Sequence, residues 1–324
     1  MATAAGKRYT TGMVEVFVTG GSGFVGSHLI TRLVQDGHAV RVLVRSDEAA
    51  QRVTELDARP CFGDLQDGPA IRSAAEGCEL VFHTAAKVSR GGGRDRFWTD
   101  NVDGTATVLQ SVREAGVRRL VHVGSLAALM AGKPLVQADE STPLRPDSRS
   151  DYASSKAAAA QLVQAANGSR LETVVVRPPW VWGPGDTTTR TDHLTWINGG
   201  RHLIDTAHVA NLVHALCLAA DKGLAGESYL ISDGAPVEFR EFITGLLTAQ
   251  GFDPPSRSVP RSAALASTAL GEGIWQALRL RSAPPLDYLS LWLFSQECTV
   301  DTTKAREELG YEPVLTREEG LAGL

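Results

Sequence analysis

Cysteine is scarce in this chain. Cys61, Cys78, Cys217 and Cys298 are the only four among 324 residues, and none forms a CxxC pair. That excludes a disulfide scaffold, offers no thiolate zinc site and suits a reducing, cytoplasmic setting. Nor do His193, His202, His208 and His214 fall at a metal-ligand spacing, so no metal is expected. No apolar run is long enough to span a bilayer. The richest, 286–294, is short, is interrupted by Asp287 and reads as a buried helix. An excess of positive charge is also missing: the net charge is −5, which argues against nucleic acid as a partner. The first 13 residues lack the apolar segment of a signal peptide and read as a flexible leader.

Apolar residues make up 43% of the chain and charged residues 21%, the balance of a globular protein. From Val14 onward, short β-branched runs alternate with helical stretches. Strands are predicted at 14–18, 39–44, 80–83, 120–123 and 173–177. Helices are predicted at 24–35, 70–75, 101–115 and 152–166. Strands that are apolar throughout, alternating with helices, predict an α/β fold: a doubly wound parallel sheet covered on both faces. After Pro178 the rhythm breaks at Pro178-Pro179 and Gly183-Pro184-Gly185. A helix at 209–220 and a strand at 229–231 then return to the sheet. The predicted organisation is a dinucleotide-binding unit, 14–177 plus about 200–233, and a smaller, mainly helical substrate region, 178–199 plus 234–324.

The segment Thr19-Gly20-Gly21-Ser22-Gly23-Phe24-Val25-Gly26 follows the first strand and opens a helix. Gly21, Gly23 and Gly26 satisfy GxGxxG in the context that gives the motif weight. Glycines there allow backbone N–H groups to approach a pyrophosphate, and the helix N-terminus adds partial positive charge. An ordinary glycine-rich turn is the bland alternative. The second strand ends in Val44-Arg45, where an NAD enzyme usually carries a carboxylate for the adenosine ribose. Arg45 can instead pair with a 2′-phosphate, so NADP(H) is favoured over NAD(H). The competing reading of Arg45 is a solvated surface charge. Arg41, towards the far end of the strand, is less suited.

Tyr152 and Lys156 lie four residues apart at a helix start, on one face. A free phenol titrates near pH ~10, and a neighbouring ammonium favours its phenolate, so the pair suits proton exchange with an alcohol or ketone. YxxxK alone is weak. Ser125, at the end of the strand 120–123, adds a hydroxyl on the carboxyl side of the sheet, where such folds bind ligands.

These elements, with Gly63-Asp64-Leu65, His83-Thr84-Ala85-Ala86, Asn101-Val102-Asp103-Gly104-Thr105, Arg177-Pro178, Asp301-Thr302-Thr303-Lys304-Ala305 and Leu309-Gly310-Tyr311, carry a resemblance. The chain is similar to the extended short-chain dehydrogenase/reductases, and most similar to their 3β-hydroxysteroid dehydrogenase and ketone-reductase branch. The resemblance implies a catalytic triad of Ser125, Tyr152 and Lys156, with Tyr152 and Lys156 also at the nicotinamide ribose. It implies cofactor contacts from Gly20, Gly23, Phe24, Val25, Gly26, Arg45, Asp64, Leu65, Ala85, Ala86, Pro178 and Val181. Asn101 would brace the sheet near the site or serve as a helix N-cap.

Three features separate the branches. Leu126-Ala127 follow Ser125, where nucleotide-sugar dehydratases carry an acid pair. Trp180 stands where sugar-nucleotide enzymes carry Asn. The wall 126–130 is apolar throughout. Leu126, Ala127, Trp180 and Trp182 are therefore predicted to line a pocket for a lipophilic alcohol or ketone, although some of them could simply fill core. The family's pocket-wall helix is shortened to 187–195, and Ala210 replaces an Asp common in its His-Val-x-Asn pattern. A sugar-nucleotide epimerase and a non-catalytic NADP-sensing regulator are the competing functions. Pairing of the helices at 101–115 and after Tyr152, through Ala157 to Ala160, predicts a homodimer unless those helices pack within one chain.

Overall fold

A computed structural model of the chain describes residues 13–88, 93–186, 195–278 and 286–324. Most of the predicted leader, nearly all of the shortened 187–195 segment and His193 lie outside the described residues.

In chain order, β1 (Glu15–Thr19) leads into α1 (Phe24–Gln35), β2 (Ala39–Val44), α2 (Asp47–Thr54), β3 (Arg59–Phe62), α3 (Gly68–Ala75) and β4 (Leu80–His83). There follow α4 (Gly93–Trp98), a π-helical turn at Thr99–Asp103, α5 (Gly104–Glu114) and β5 (Arg119–Val123). Then come β6 (Leu135–Ala138), α6 (Asp151–Ala165), β7 (Glu172–Arg177), β8 (Trp180–Trp182), β9 (Trp196–Ile197), β10 (Leu203–Ile204) and β11 (Thr206–His208). The C-terminal part holds α7 (Val209–Lys222), β12 (Ser228–Leu230), β13 (Val237–Glu238), α8 (Phe239–Ala249), β14 (Ser258–Val259), α9 (Arg261–Ala277), α10 (Tyr288–Ser295), β15 (Cys298–Val300) and α11 (Arg317–Ala322).

The main sheet has seven parallel strands in the order β12-β7-β5-β4-β1-β2-β3. Its strands are apolar on both sides because both sides are covered. In β1, Val16 and Val18 join the cluster that packs α1 and α7, while Phe17 joins the cluster that packs α3 and α5. Strand order reverses between β1 and β4, and a crevice opens there beyond the strands' carboxyl ends.

A second core gathers around a four-stranded sheet, β13-β10-β15-β6, with α8 and α10 packed on it. Leu135–Ala138 joins this sheet although it precedes α6 in sequence. Asp233 ties the two parts together. Its carboxylate accepts from Trp182 Nε1 and Thr206 Oγ1 (both 2.8 Å), from the His208 backbone (2.6 Å) and from Asn211 Nδ2 (2.8 Å). Asn211 Oδ1 in turn accepts from the Val314 and Leu315 backbone, so α7 holds the C-terminal segment.

Candidate active site

The crevice at the switch point widens into a cleft of about 2990 Å³. Its first wall is the turn between β1 and α1. Gly20 has φ +76°, and a Cβ there would sit 2.6 Å from the Ala85 backbone. A Cβ on Gly26 would meet the Gly20 carbonyl oxygen at 2.2 Å. Only glycine lets the turn, the start of α1 and the Ala85-Ala86 segment come this close. No side chain caps α1, and its first turn carries no acid, so its leading N–H groups and the dipole face the cleft unopposed. That is a cradle for a diphosphate. Gly20, Gly23, Phe24, Val25, Gly26, Ala85 and Ala86 all line the cleft.

At the end of β2, Arg45 is exposed on the cleft and makes no ion pair among the described residues. Beside it, Ser46 caps α2 by accepting from Ala49 N at 3.3 Å. Arg41 is held elsewhere, by the Ala74 and Glu76 carbonyls and by Glu15. Asp64 and Leu65 border the same end of the cleft.

Ser125, Tyr152 and Lys156 meet at the carboxyl end of β5. Ser125 Oγ accepts from Ala127 N (3.1 Å), which leaves the Ser125 proton free to turn into the cleft. Ser150 caps α6 by accepting from Ala153 N, which starts the helix at Asp151, one residue before Tyr152. Lys156 is buried, and its Nζ donates to the Val123 carbonyl at 2.7 Å. Burial pushes Lys156 down to about 8. Burial pushes the Tyr152 phenol up, while the hydrogen-bonding Ser125 hydroxyl pulls it down. The expected depression of the phenol by the lysine ammonium is therefore not what the protein's own groups produce, because desolvation dominates.

Asn101 acts as a brace and does not cap α5. Its side chain accepts from Lys87 N (2.6 Å), donates to Lys87 O (3.2 Å) and donates to Ser155 Oγ (2.9 Å) on the catalytic helix.

Residues 17–261 match the 3-beta hydroxysteroid dehydrogenase/isomerase family. The chain belongs to that family. It is an extended short-chain dehydrogenase/reductase and an NAD(P)-dependent oxidoreductase acting on CH–OH and ketone groups. A Stigmatella aurantiaca relative, 4-hydroxy-2-methyl-3-oxo-4-farnesyl-3,4-dihydroquinoline-1-oxide ketoreductase, is 43% identical over 96% of both chains. A 2-alkyl-3-oxoalkanoate reductase from Stenotrophomonas maltophilia is 35% identical over 96% of this chain and 98% of its own. Among solved structures, a dTDP-glucose 4,6-dehydratase of Streptomyces venezuelae with NAD bound superposes with a TM-score of 0.74. That structure is 26% identical and covers 95% of this chain and 94% of its own.

Within this oxidoreductase, the far side of the cleft is apolar. Leu126, Ala127, Pro178, Trp180 and Val181 line it. Trp180 stacks on Phe294 of α10, centroids 6.1 Å apart and 23° between planes. Trp182 does not belong to this wall. It is fully buried in the second core, edge-on to Phe242 and His208, with its N–H on Asp233. Residues one and three of a short strand point the same way, but Trp182 runs on into β8's pairing with β11 and under α8. Sequence reading missed the continuation of this wall. There α9 turns Ala263, Ala264 and Ser267 to the cleft, and α10 adds Leu293 and Phe294. Their small and aliphatic side chains carry no motif, so only the fold reveals them. Among the described residues, no group of three or more His, Cys, Asp or Glu side chains could hold a metal.

Two histidines lie in the sheet beneath the catalytic helix. His83 and His122 are fully buried with ring centroids 5.0 Å apart. Burial, with the Lys156 charge adding to it, holds His83 down to about 3 and His122 well below its ordinary value. The folded values lie below the unfolded one. Each ring's contribution to stability is therefore intact above pH ~6.5 and lost, at about 1.4 kcal/mol per pH unit, as the pH falls towards the folded value. Burial lifts Asp205 to about 6 and also raises Glu140, Asp151 and Glu272, which opposes this, but it holds His38, His202, His208 and His214 low as well, on the side of the two rings. The urea midpoint is expected to fall clearly between pH 7 and pH 5. A midpoint unchanged over that interval would show that these rings are not held neutral.

Proposed function

We propose that this enzyme is an NADP(H)-dependent reductase that interconverts a ketone and a secondary alcohol on a lipophilic substrate. The observation that carries this reading is the convergence of Ser125, Tyr152 and Lys156 beside a stretch of cleft wall built from Leu126, Trp180, Leu293 and Phe294. The glycine cradle, the bare N-terminus of α1 and the exposed Arg45 fit a phosphorylated dinucleotide. When bound, that cofactor supplies or removes hydride at its nicotinamide.

The chain's own residues handle the proton. In reduction the Tyr152 hydroxyl donates its proton to the substrate oxygen, and the Ser125 hydroxyl donates a hydrogen bond to the same oxygen as charge gathers there. Lys156 provides positive charge beneath the pair and would hold the nicotinamide ribose of a bound cofactor. In oxidation the same groups run in reverse. Leu126 and Ala127 offer no acid–base pair beside Ser125, so elimination on a sugar nucleotide has no support there. The two relatives named above act on a 3-oxo compound carrying a farnesyl chain and on a 2-alkyl-3-oxoalkanoate. A ketone flanked by an apolar chain is the substrate pattern they share, and it suits the wall formed by Trp180, Phe294 and α9. We place the enzyme in the cytoplasm as a homodimer. Ala157, Ala159 and Ala160 are already buried within one chain, so a dimer would form around the remaining surface of α5 and α6.

The test is a spectrophotometric screen of NADPH and NADH oxidation against long-chain 3-oxo acids, prenylated cyclic ketones and steroid ketones, with UDP- and dTDP-sugars alongside. Turnover of a sugar nucleotide and of no apolar ketone would sink the proposal. Arg45→Ala is expected to lower kcat/KM for NADPH by about ten- to a hundredfold, the worth of one or two charge-assisted hydrogen bonds. Its effect on NADH should be small. An equal loss with both cofactors would remove Arg45 from 2′-phosphate recognition.

A further inference from the structure

A chain of buried hydrogen bonds runs from the cofactor turn to the catalytic helix, and His83 is its central link. Thr19, the last residue of β1 before the glycine turn, places Oγ1 2.7 Å from His83 Nδ1. On the other side of the ring, His83 Nε2 lies 2.9 Å from Thr105 Oγ1. Thr105 Oγ1 donates to the Asn101 carbonyl at 2.6 Å. Thr19, His83, Asn101 and Thr105 are all buried.

Counting protons fixes the direction of every bond. A carbonyl cannot donate, so the single Thr105 proton is committed to Asn101 O. Thr105 Oγ1 must then accept from His83, which places a proton on Nε2. A second proton on Nδ1 would face the Thr19 oxygen and force that hydroxyl to turn its own proton away into a buried region. Instead Nδ1 accepts from Thr19. Only the neutral ring protonated on Nε2 satisfies all three groups.

Asn101 sits inside the π-helical turn Thr99–Asp103, where Gly104 N bonds to Thr99 O. π turns are rare and are often found at functional sites. This one delivers the Asn101 side chain to Lys87 and to Ser155, whose Oγ donates to the Tyr152 carbonyl at 2.9 Å. The route from Thr19 to Tyr152 is therefore continuous.

We propose that His83 is a positioning residue. As the Nε2-protonated imidazole it pins the π turn, and through Asn101 it sets the catalytic helix against the cofactor turn. This rests on the triad assignment above only for its kinetic readout.

The first test is ¹⁵N NMR of the wild-type protein labelled at histidine, with the His83 resonances assigned by their loss in His83→Gln. The expected spectrum has a pyrrole-type Nε2 and a pyridine-type Nδ1 that persist from pH 8 down to pH 5.5. The opposite tautomer, or an imidazolium appearing in that range, overturns the proposal whatever the enzyme's substrate proves to be.

The second test is kinetic, with active sites counted by cofactor titration. His83→Leu is expected to lower kcat about ten- to a hundredfold, the scale of a small misplacement at the reacting centre. KM for cofactor and ketone should stay within a few-fold, and the primary isotope effect with deuterated NADPH should rise. His83→Gln keeps an N–H donor for Thr105 and should recover most of kcat. Equal losses in the two variants, or an unchanged kcat in His83→Leu, would reduce His83 to a packing residue. If neither variant folds, the wild-type spectrum still decides, with the His83 ring assigned by through-bond correlation to its own backbone.

Discussion

Tyr152→Phe is expected to lower kcat for ketone reduction by about 10²–10⁴, the usual share of a positioned general acid. Dinucleotide affinity should lose no more than the roughly fivefold that one hydrogen bond is worth. The two effects separate because the ring itself stays where it is. Tyr152 packs edge-on to Phe97, centroids 6.1 Å apart, and that contact needs no hydroxyl. The helix start is held by Ser150, not by the phenol. What disappears is the proton. Single-turnover reduction followed by NADPH absorbance, together with fluorescence titration of the cofactor, would distinguish loss of chemistry from loss of binding. Full turnover by the phenylalanine variant would mean another group delivers the proton, and the proposed mechanism would fail.

The same phenol bears on direction. Burial pushes Tyr152 up, so the protein by itself keeps it protonated across the neutral range. A protonated phenol is an acid in waiting, the form that reduction consumes. Oxidation needs the phenolate and should gain as pH rises. Lys156, held down to about 8, loses its charge over that same alkaline interval. Loss of the ammonium removes support for the phenolate and limits the oxidative gain. At neutral pH the resting phenol is thus in the form reduction uses, and the oxidative rate is the one expected to depend on pH.

Much of the fold was legible because sequence pattern and burial coincide. The spans predicted at 24–35, 39–44 and 80–83 match α1, β2 and β4, each bounded by a glycine, a turn or a motif that physics reads locally. β3 escaped notice because Arg59-Pro60-Cys61-Phe62 is an edge strand with little to bury. α2 escaped because only Ala49 and Val53 of its eight residues face the core. The second sheet was hidden for a different reason. Its strands are two to four residues long, and β6 finds its partner β15 more than 150 residues later, a pairing no local window contains. At the site the polar residues and the wall formed by Leu126, Ala127 and Trp180 were legible, and the part supplied by α9 and α10 was not. Ser125, Tyr152, Lys156 and the glycine turn announce themselves by type and spacing. Ala264 or Leu293 could serve equally well as core, and Trp182, which was expected in the pocket, does.

Gly26→Ala should be nearly as damaging as loss of the phenol, by another route. The added Cβ would lie 2.2 Å from the Gly20 carbonyl oxygen and 2.6 Å from Gly21 Cα. Both neighbours are backbone, so no side chain can swing aside, and α1 must lift away from the turn. The lift withdraws the helix N–H groups from the place where a diphosphate would rest. Overpacking of this kind costs about 1–3 kcal/mol of stability. The larger consequence is for binding, because the cradle loses several aligned donors at once, and affinity for NADPH is expected to fall by more than about a hundredfold at ~1.4 kcal/mol per tenfold. Gly37→Ala is the control. Gly37 also has a positive φ, +86°, but nothing lies within 4 Å of its would-be Cβ. It should lose about 1 kcal/mol from the left-handed backbone alone and bind cofactor normally. Calorimetric titration with NADPH and urea midpoints for both variants separate the two cases. If Gly26→Ala bound the dinucleotide as tightly as Gly37→Ala, the close approach of α1 to the β1 turn would not be what holds the cofactor.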